Sequence, residues 1–155
     1  MWWEQVRDTL QNEFSDLDDL EGITVVVLRL LVAALLGALL GYERESIRAT
    51  AGLRTHMLVS LGAALFVLIP LRAGMQMDQL GRVIQGVSAG VGFLGAGAII
   101  KHTSENDIKG LTTAAGVWLT AAIGVAAGMG RELTAVVSAL FAFVTLSFLR
   151  RYTKG

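Results

Sequence analysis

The sequence predicts an all-α membrane protein: a polytopic bundle of about five transmembrane helices, preceded by an amphipathic helix. Three observations carry this. The 155 residues are 54% hydrophobic, with a mean hydropathy of +0.59, one proline and no cysteine, which is too apolar for an ordinary soluble domain. Five apolar runs follow Gly22, each close to the length a helix needs to cross the hydrocarbon layer. The charges are segregated: seven acidic residues and one basic residue precede Gly22, whereas Arg150, Arg151 and Lys154 crowd the end. The chain divides accordingly into an amphipathic interfacial segment (1–22), a transmembrane domain (23–149) and a basic cytoplasmic tail (150–155).

Residues Met1 to Leu20 place Trp3, Val6, Leu10, Phe14, Leu17 and Leu20 at helical spacing with acidic residues between them. That pattern predicts a helix lying along the membrane surface. A signal peptide would begin with basic residues and pass into an apolar core, and here the apolar run starts only after Gly22. The five runs are Ile23 to Tyr42, His56 to Leu71, Val83 to Ile100, Leu111 to Met129 and Leu133 to Leu149. An odd number of spans puts the termini on opposite sides. With the C-terminus cytoplasmic, the inside holds Arg44, Arg48, Arg54, Lys101, Lys109, Arg150, Arg151 and Lys154, and the outside only Arg7, Arg72, Arg82 and Arg131. The positive-inside rule therefore predicts an N-outside, C-inside topology.

Between Arg82 and Lys101 runs a glycine-rich, uncharged stretch of about 18 residues, the third span. Small residues let helices in a membrane approach until backbones touch, so this stretch is expected to be the central packing helix. Gly86, Gly90, Gly92, Gly95 and Gly97 would then lie at contacts, as would the small-xxx-small pairs Gly37/Gly41 and Gly124/Gly128. Gly90, Gly92 and Gly95 also spell G-x-G-x-x-G, but a dinucleotide fingerprint needs a preceding strand and a βαβ unit that this sequence lacks.

An offset of 58 residues aligns Gly52-Leu53-Arg54-Thr55 with Gly110-Leu111-Thr112-Thr113, and Leu36-Gly37-Ala38 with Leu94-Gly95-Ala96. Composition alone produces such matches in membrane helices. A 2+2 internal repeat, in which spans one and two superpose on spans three and four about the membrane normal, accounts for them equally well.

Tyr42 to His56 is the densest polar stretch of the membrane domain. It reads either as a loop whose arginines set topology, or as a functional polar cluster of Glu43, Arg44, Glu45, Arg54 and Thr55, joined by Thr112 and Thr113. The second reading follows from the flanks: charges that abut spans without a spacer lie near or inside the bundle, where a partner is expected. Glu43 or Glu45 with Arg54 is the preferred pair. Thr55 is placed to cap the second span, and Thr112 or Thr113 the fourth. On the outer side Asp78 and Arg82 stand four apart, the spacing of an ion pair over one helical turn, worth roughly 0.3 to 0.5 kcal/mol when exposed. Arg29, within the first span, either extends to the outer interface or needs a carboxylate, for which Asp78 is the nearest by depth.

The motif inventory favours a non-enzyme: there is no phosphate loop ending in G-K-[ST] and no H-E-x-x-H. Without cysteine, and with two distant histidines, thiolate or histidine metal sites are disfavoured, while oxygen ligation of a hard cation stays open. No cofactor is expected, and Mg²⁺ association is left undetermined. The expected partners are the bilayer, further copies of the chain and another membrane protein, not nucleic acid.

Gly41-Tyr42-Glu43-Arg44-Glu45, Ala51-Gly52-Leu53-Arg54-Thr55-His56-Met57-Leu58-Val59, Asp78 with Arg82, Gly90 to Gly97, and Gly110-Leu111-Thr112-Thr113-Ala114-Ala115 with Trp118 stand in the order of the MgtC/SapB membrane domain, which the sequence resembles. The resemblance implies a multi-pass bacterial inner-membrane protein connected with magnesium homeostasis and growth at low magnesium, acting by transport or by regulation of other membrane complexes. It carries over Glu43, Arg44, Glu45, Arg54, Asp78, Arg82, Thr112 and Thr113 as polar positions, and the glycines from Gly90 to Gly97 as packing positions. Two features depart from it: many relatives continue into a soluble C-terminal domain, and a proline usually follows the aspartate where Gln79 stands here. The leading expectation is regulation through helix contacts. The alternative is a small cation or solute transporter with Glu43, Glu45 and Asp78 as ligands or gates, and a purely structural scaffold is a third class.

Overall fold

The computed structural model describes residues 1–17, 19–100, 103–104, 107–108 and 110–152. Helix α1 (Trp2–Glu13) is followed by α2 (Leu20–Ser46), α3 (Leu53–Arg72), α4 (Leu80–Ile100), α5 (Leu111–Gly128) and α6 (Glu132–Tyr152). Two-residue strands β1 (Thr103–Ser104) and β2 (Asp107–Ile108) pair antiparallel between α4 and α5. Helices α2 to α5 are each long and apolar enough to cross a membrane, and α6 carries a shorter apolar stretch, Glu132–Phe148. The chain is a polytopic helical membrane bundle.

Helix α1 is shorter than the sequence pattern predicts. It ends at Glu13, and the chain turns through Phe14 to Leu17, where Asp16 and its neighbours favour turns over helix interiors. Leu17 therefore falls outside α1, and Leu20 opens α2. No α1 residue is buried, and Trp2 and Phe14 stand outward.

The central helix is α5, not α4. Helix α5 packs against all four neighbours, α2, α3, α4 and α6. Its Ile123 and Ala127 enter one core with Ala33, Leu40, Ala64, Ala135, Ala139 and Ala142, while Ala121 and Val125 enter a second with Ala63, Val67 and Leu80. Only Leu80 and Gly95 of α4 are buried. Gly95 packs on Ala114, whereas a methyl group on Gly86, Gly90, Gly92 or Gly97 would meet nothing within 4 Å among the described residues. The close approaches lie elsewhere. A methyl group on Gly124 would overlap the Ser60 carbonyl and one on Gly128 the Ala64 carbonyl, so α3 and α5 run parallel with backbones in contact. Gly37 sits over Met57 and Ser60, and Gly41 over Leu53, which closes the antiparallel α2–α3 pair.

The offset of 58 carries the first residue of α3, Leu53, onto the first residue of α5, Leu111, and the cap Gly52 onto the cap Gly110. The two caps differ in geometry: Gly52 is extended, while Gly110 has φ +101°, a left-handed conformation that favours glycine. The charge count behind the topology rests partly on Lys101, Lys109, Lys154 and the side chains of Arg150 and Arg151, which lie outside the described residues. Residues 150–152 continue α6.

At the end of the bundle bearing the α3–α4 and α5–α6 turns, Arg29 reaches toward the α5–α6 turn and meets a carboxylate other than Asp78. Its Nη1 donates to the Gly128 carbonyl at 3.1 Å and its Nε lies 4.0 Å from Glu132, so it closes the negative end of α5 and holds α2, α5 and α6 together. Arg72 reaches from the end of α3 to the Gly22 and Asp16 carbonyls, both at 3.4 Å.

Candidate functional site

The buried polar groups gather at the opposite end, around the α2–α3 turn. Helix α2 runs past its apolar run through Tyr42-Glu43-Arg44-Glu45-Ser46, so the last turn carries charges into the packed interior. Glu43 is 5% exposed and Arg44 6% exposed, and Glu43 Oε2 lies 3.5 Å from Arg44 Nη1. Arg44 Nε has no hydrogen-bond partner among the described residues. Removing the Glu43 charge from such a buried pair strands Arg44, which makes this pair the electrostatic focus of the site.

Neither Glu43 nor Glu45 pairs with Arg54. Arg54 lies on the exposed side of the first turn of α3, while Glu45 Oε2 accepts the Leu53 N–H at 2.7 Å. Glu45 is thus the N-terminal hydrogen-bond acceptor for α3, supplied by the preceding helix. Thr55 does not cap that helix: the cap is Gly52, and Thr55 sits three residues inside and exposed. At α5 the cap is likewise a glycine, Gly110, with no side-chain cap bond. Thr112 faces outward and Thr113 is buried at 4% exposure, on the same helix face as Gly116 and Thr120.

Two residues to which the sequence assigned no role complete the interior. His56 and Ser60 are both fully buried, one helical turn apart on α3. His56 Nδ1 lies 3.0 Å from the Gly52 carbonyl, while His56 Nε2 and Ser60 Oγ have no hydrogen-bond partner among the described residues. On α5, Thr120 Oγ1 donates to the Gly116 carbonyl at 2.8 Å. Their signal in the sequence is the i, i+4, i+8 series His56, Ser60, Ala64, two polar groups on the face that becomes the α3 packing surface. Buried polar side chains therefore run from Glu43 and Arg44 past Thr113 to His56 and Thr120 and end at Ser60, beyond which Ala64, Val67 and Ala127 are buried. Among the described residues no three acidic, histidine or cysteine side chains converge.

On the other face of the bundle Asp78 and Arg82 do not form an ion pair. Asp78 precedes α4, which begins at Leu80, so the two do not share a helical turn, and Asp78 Oδ1 instead accepts the Gln79 N–H at 3.0 Å. Gly86-Val87-Ser88-Ala89-Gly90 matches G-x-S-x-G, yet Ser88 lies inside α4 and accepts the Trp118 Nε1–H at 3.2 Å. A nucleophile elbow requires a strand-to-helix turn, which is absent at this position.

A family model described as the MgtC family matches residues 30–154. The chain is 42% identical over 134 residues to the protein SrpB of Synechococcus elongatus, covering 79% of this chain and 74% of SrpB. It is 40% identical over 124 residues to the protein MgtC of Salmonella typhimurium, covering 80% of this chain and 52% of that one. To a protein named putative magnesium transporter YhiD of Escherichia coli it is 36% identical over 135 residues, covering 82% of this chain and 61% of YhiD. The chain thus spans about half the length of MgtC. No solved structure matches it. A five-helix membrane bundle, a buried polar column and a family match over most of the chain agree: the chain belongs to the MgtC family.

Proposed function

We propose that this chain is a non-enzymatic protein of the bacterial inner membrane, with its C-terminus in the cytoplasm, that serves magnesium homeostasis by helix contacts with a membrane partner or a second copy. The link to magnesium rests on the relatives, one of which is named a putative magnesium transporter. The choice of regulation over transport rests on one observation. Every polar side chain of the interior column is at most 6% exposed, and the column stops at Ser60, beyond which Ala64, Val67 and Ala127 are buried. Conduction needs sites that an ion can enter and leave, linked from one side to the other. A closed half-column is instead suited to holding the helices in one arrangement, while α4, where a methyl group on Gly86, Gly90, Gly92 or Gly97 would meet nothing within 4 Å among the described residues, is open to another helix.

Transport is the second reading, because the buried polar side chains of His56 and Ser60 lie where a conduit would begin. Flux separates the two. Proteoliposomes loaded with a magnesium-sensitive dye are expected to show no Mg²⁺ entry above protein-free vesicles, while deletion of the protein impairs growth at low magnesium. Saturable entry that depends on the protein would overturn the regulatory reading.

A further inference from the structure

Helices α3 and α4 both pack along α5 but touch each other far less, and between them lies a groove of about 560 Å³ that opens to the outside of the bundle. Every residue that lines it is apolar or glycine. Its floor is formed by Ala63 and Val87, which belong to the second core, and its rims carry the exposed side chains of Phe66 and Leu94. The volume is that of a small-molecule site, about 300 to 1,000 Å³. Water has no hydrogen-bond partner on such a lining, so in a bilayer the groove takes either a hydrocarbon chain or another helix. Length separates the two. The lining of α4 runs from Val83 to Leu94, about 16 Å at a rise of about 1.5 Å per residue, and one leaflet of a hydrocarbon core about 30 Å thick is about 15 Å deep. A transmembrane helix runs the full thickness, whereas just past Leu94 the helix settles onto α5, with Gly95 on Ala114.

The groove begins at the head of α4, where Asp78 and Arg82 stand exposed and, among the described residues, ion-paired neither with each other nor with any other group. Arg72, at the same end, is already engaged by the Gly22 and Asp16 carbonyls. A free cation and a free anion at the mouth of an apolar groove one leaflet deep complement a headgroup that carries both charges. We propose that the α3–α4 groove binds one zwitterionic phospholipid of the phosphatidylethanolamine class. One acyl chain lies in the groove, the phosphate accepts hydrogen bonds from the Arg82 guanidinium, and the ammonium donates to the Asp78 carboxylate. A phospholipid with a phosphate alone leaves Asp78 without a cation. Gly92 and Gly97 do not line the groove and stay available for the helix contact proposed above, from which this site is independent.

Native mass spectrometry of the full chain in detergent, titrated with phosphatidylethanolamine or phosphatidylglycerol, reads stoichiometry and affinity together. One phosphatidylethanolamine per chain should be retained, about tenfold more tightly than phosphatidylglycerol, the usual effect of one charge-assisted hydrogen bond. Asp78→Asn should remove that preference, and Arg82→Gln should weaken both lipids by about tenfold. Gly90→Leu places its side chain where a methyl group meets nothing within 4 Å among the described residues, so its melting temperature should hold while retention of both lipids is lost. The wild-type preference is read without any variant, so a variant that fails to fold does not shield the proposal. No retained lipid, equal wild-type affinity for the two lipids, or retention unchanged by Gly90→Leu would overturn the site. A dimer that Gly90→Leu dissociates, with no lipid retained, would overturn it in favour of a second copy in the groove.

Discussion

Glu45 holds the start of α3: its Oε2 accepts the Leu53 N–H at 2.7 Å, engaging one of the donors that every helix N-terminus leaves open. Replacing Glu45 with alanine should therefore lower stability by about 1 kcal/mol, the usual worth of an N-terminal cap. Arg54→Ala should be nearly silent, because that side chain is exposed and pairs with neither Glu43 nor Glu45. Thermal melts of the two purified variants in detergent check this, and an equal loss in both would contradict the assignment. Residue identity alone left these pairings illegible. Charges that abut a span without a spacer correctly announce burial of Glu43, but the direction of each side chain depends on where the helix ends, and α2 continues to Ser46. Arg29 was ambiguous for a similar reason. Its partners, the Gly128 carbonyl and Glu132, are about a hundred residues away in sequence and meet it only once α5 and α6 have packed.

Among the elements, hydrophobic run length located the helices well. The five apolar runs appear as α2 to α6 with ends displaced by only a few residues, since the absence of charge over a bilayer's width is a local property. Which helix sits at the centre is not local. Glycine content pointed to α4, but glycines pack only where their face meets a neighbour, and those of α4 largely do not. Helix α5 is central because small and apolar residues surround its whole circumference, as in Gly116, Ala121, Gly124, Ala127 and Gly128. The consequence can be measured. Gly124→Ala forces its methyl group into the Ser60 backbone and should destabilise by roughly 1 to 3 kcal/mol, as overpacking does. Gly92→Ala meets open space and should be neutral or stabilising by up to about 1 kcal/mol through helix propensity. Melting temperatures in detergent, where the single chain is compared, should move in opposite directions or only for Gly124; a larger drop for Gly92 would restore α4 as the packing helix.

Across the whole molecule the two ends of the bundle are built differently. One end is fastened by cations on helix carbonyls, Arg29 on Gly128 and Arg72 on Gly22, and the other buries an ion pair, Glu43 with Arg44, above a column of His56, Ser60 and Thr120. Carbonyl clamps account for stability without further purpose. A buried ion pair does not, because well-packed apolar residues often serve stability as well or better, and its retention at the head of the only long polar column among the described residues argues for a working role. The test is a double-mutant cycle with Glu43→Gln, Arg44→Gln and both together. Glu43→Gln leaves the Arg44 charge uncompensated and should cost roughly 3 to 5 kcal/mol, and the double variant should recover part of that loss through the coupling between the two sites. Growth at low magnesium then discriminates structure from function. If the pair is only structural, growth should follow folded protein and return with the double variant. The expected outcome is the other one: the double variant regains stability and membrane abundance yet fails to support growth, because the proposed regulatory role depends on the charges themselves. Recovery of growth in step with stability would remove the Glu43–Arg44 pair from the working site.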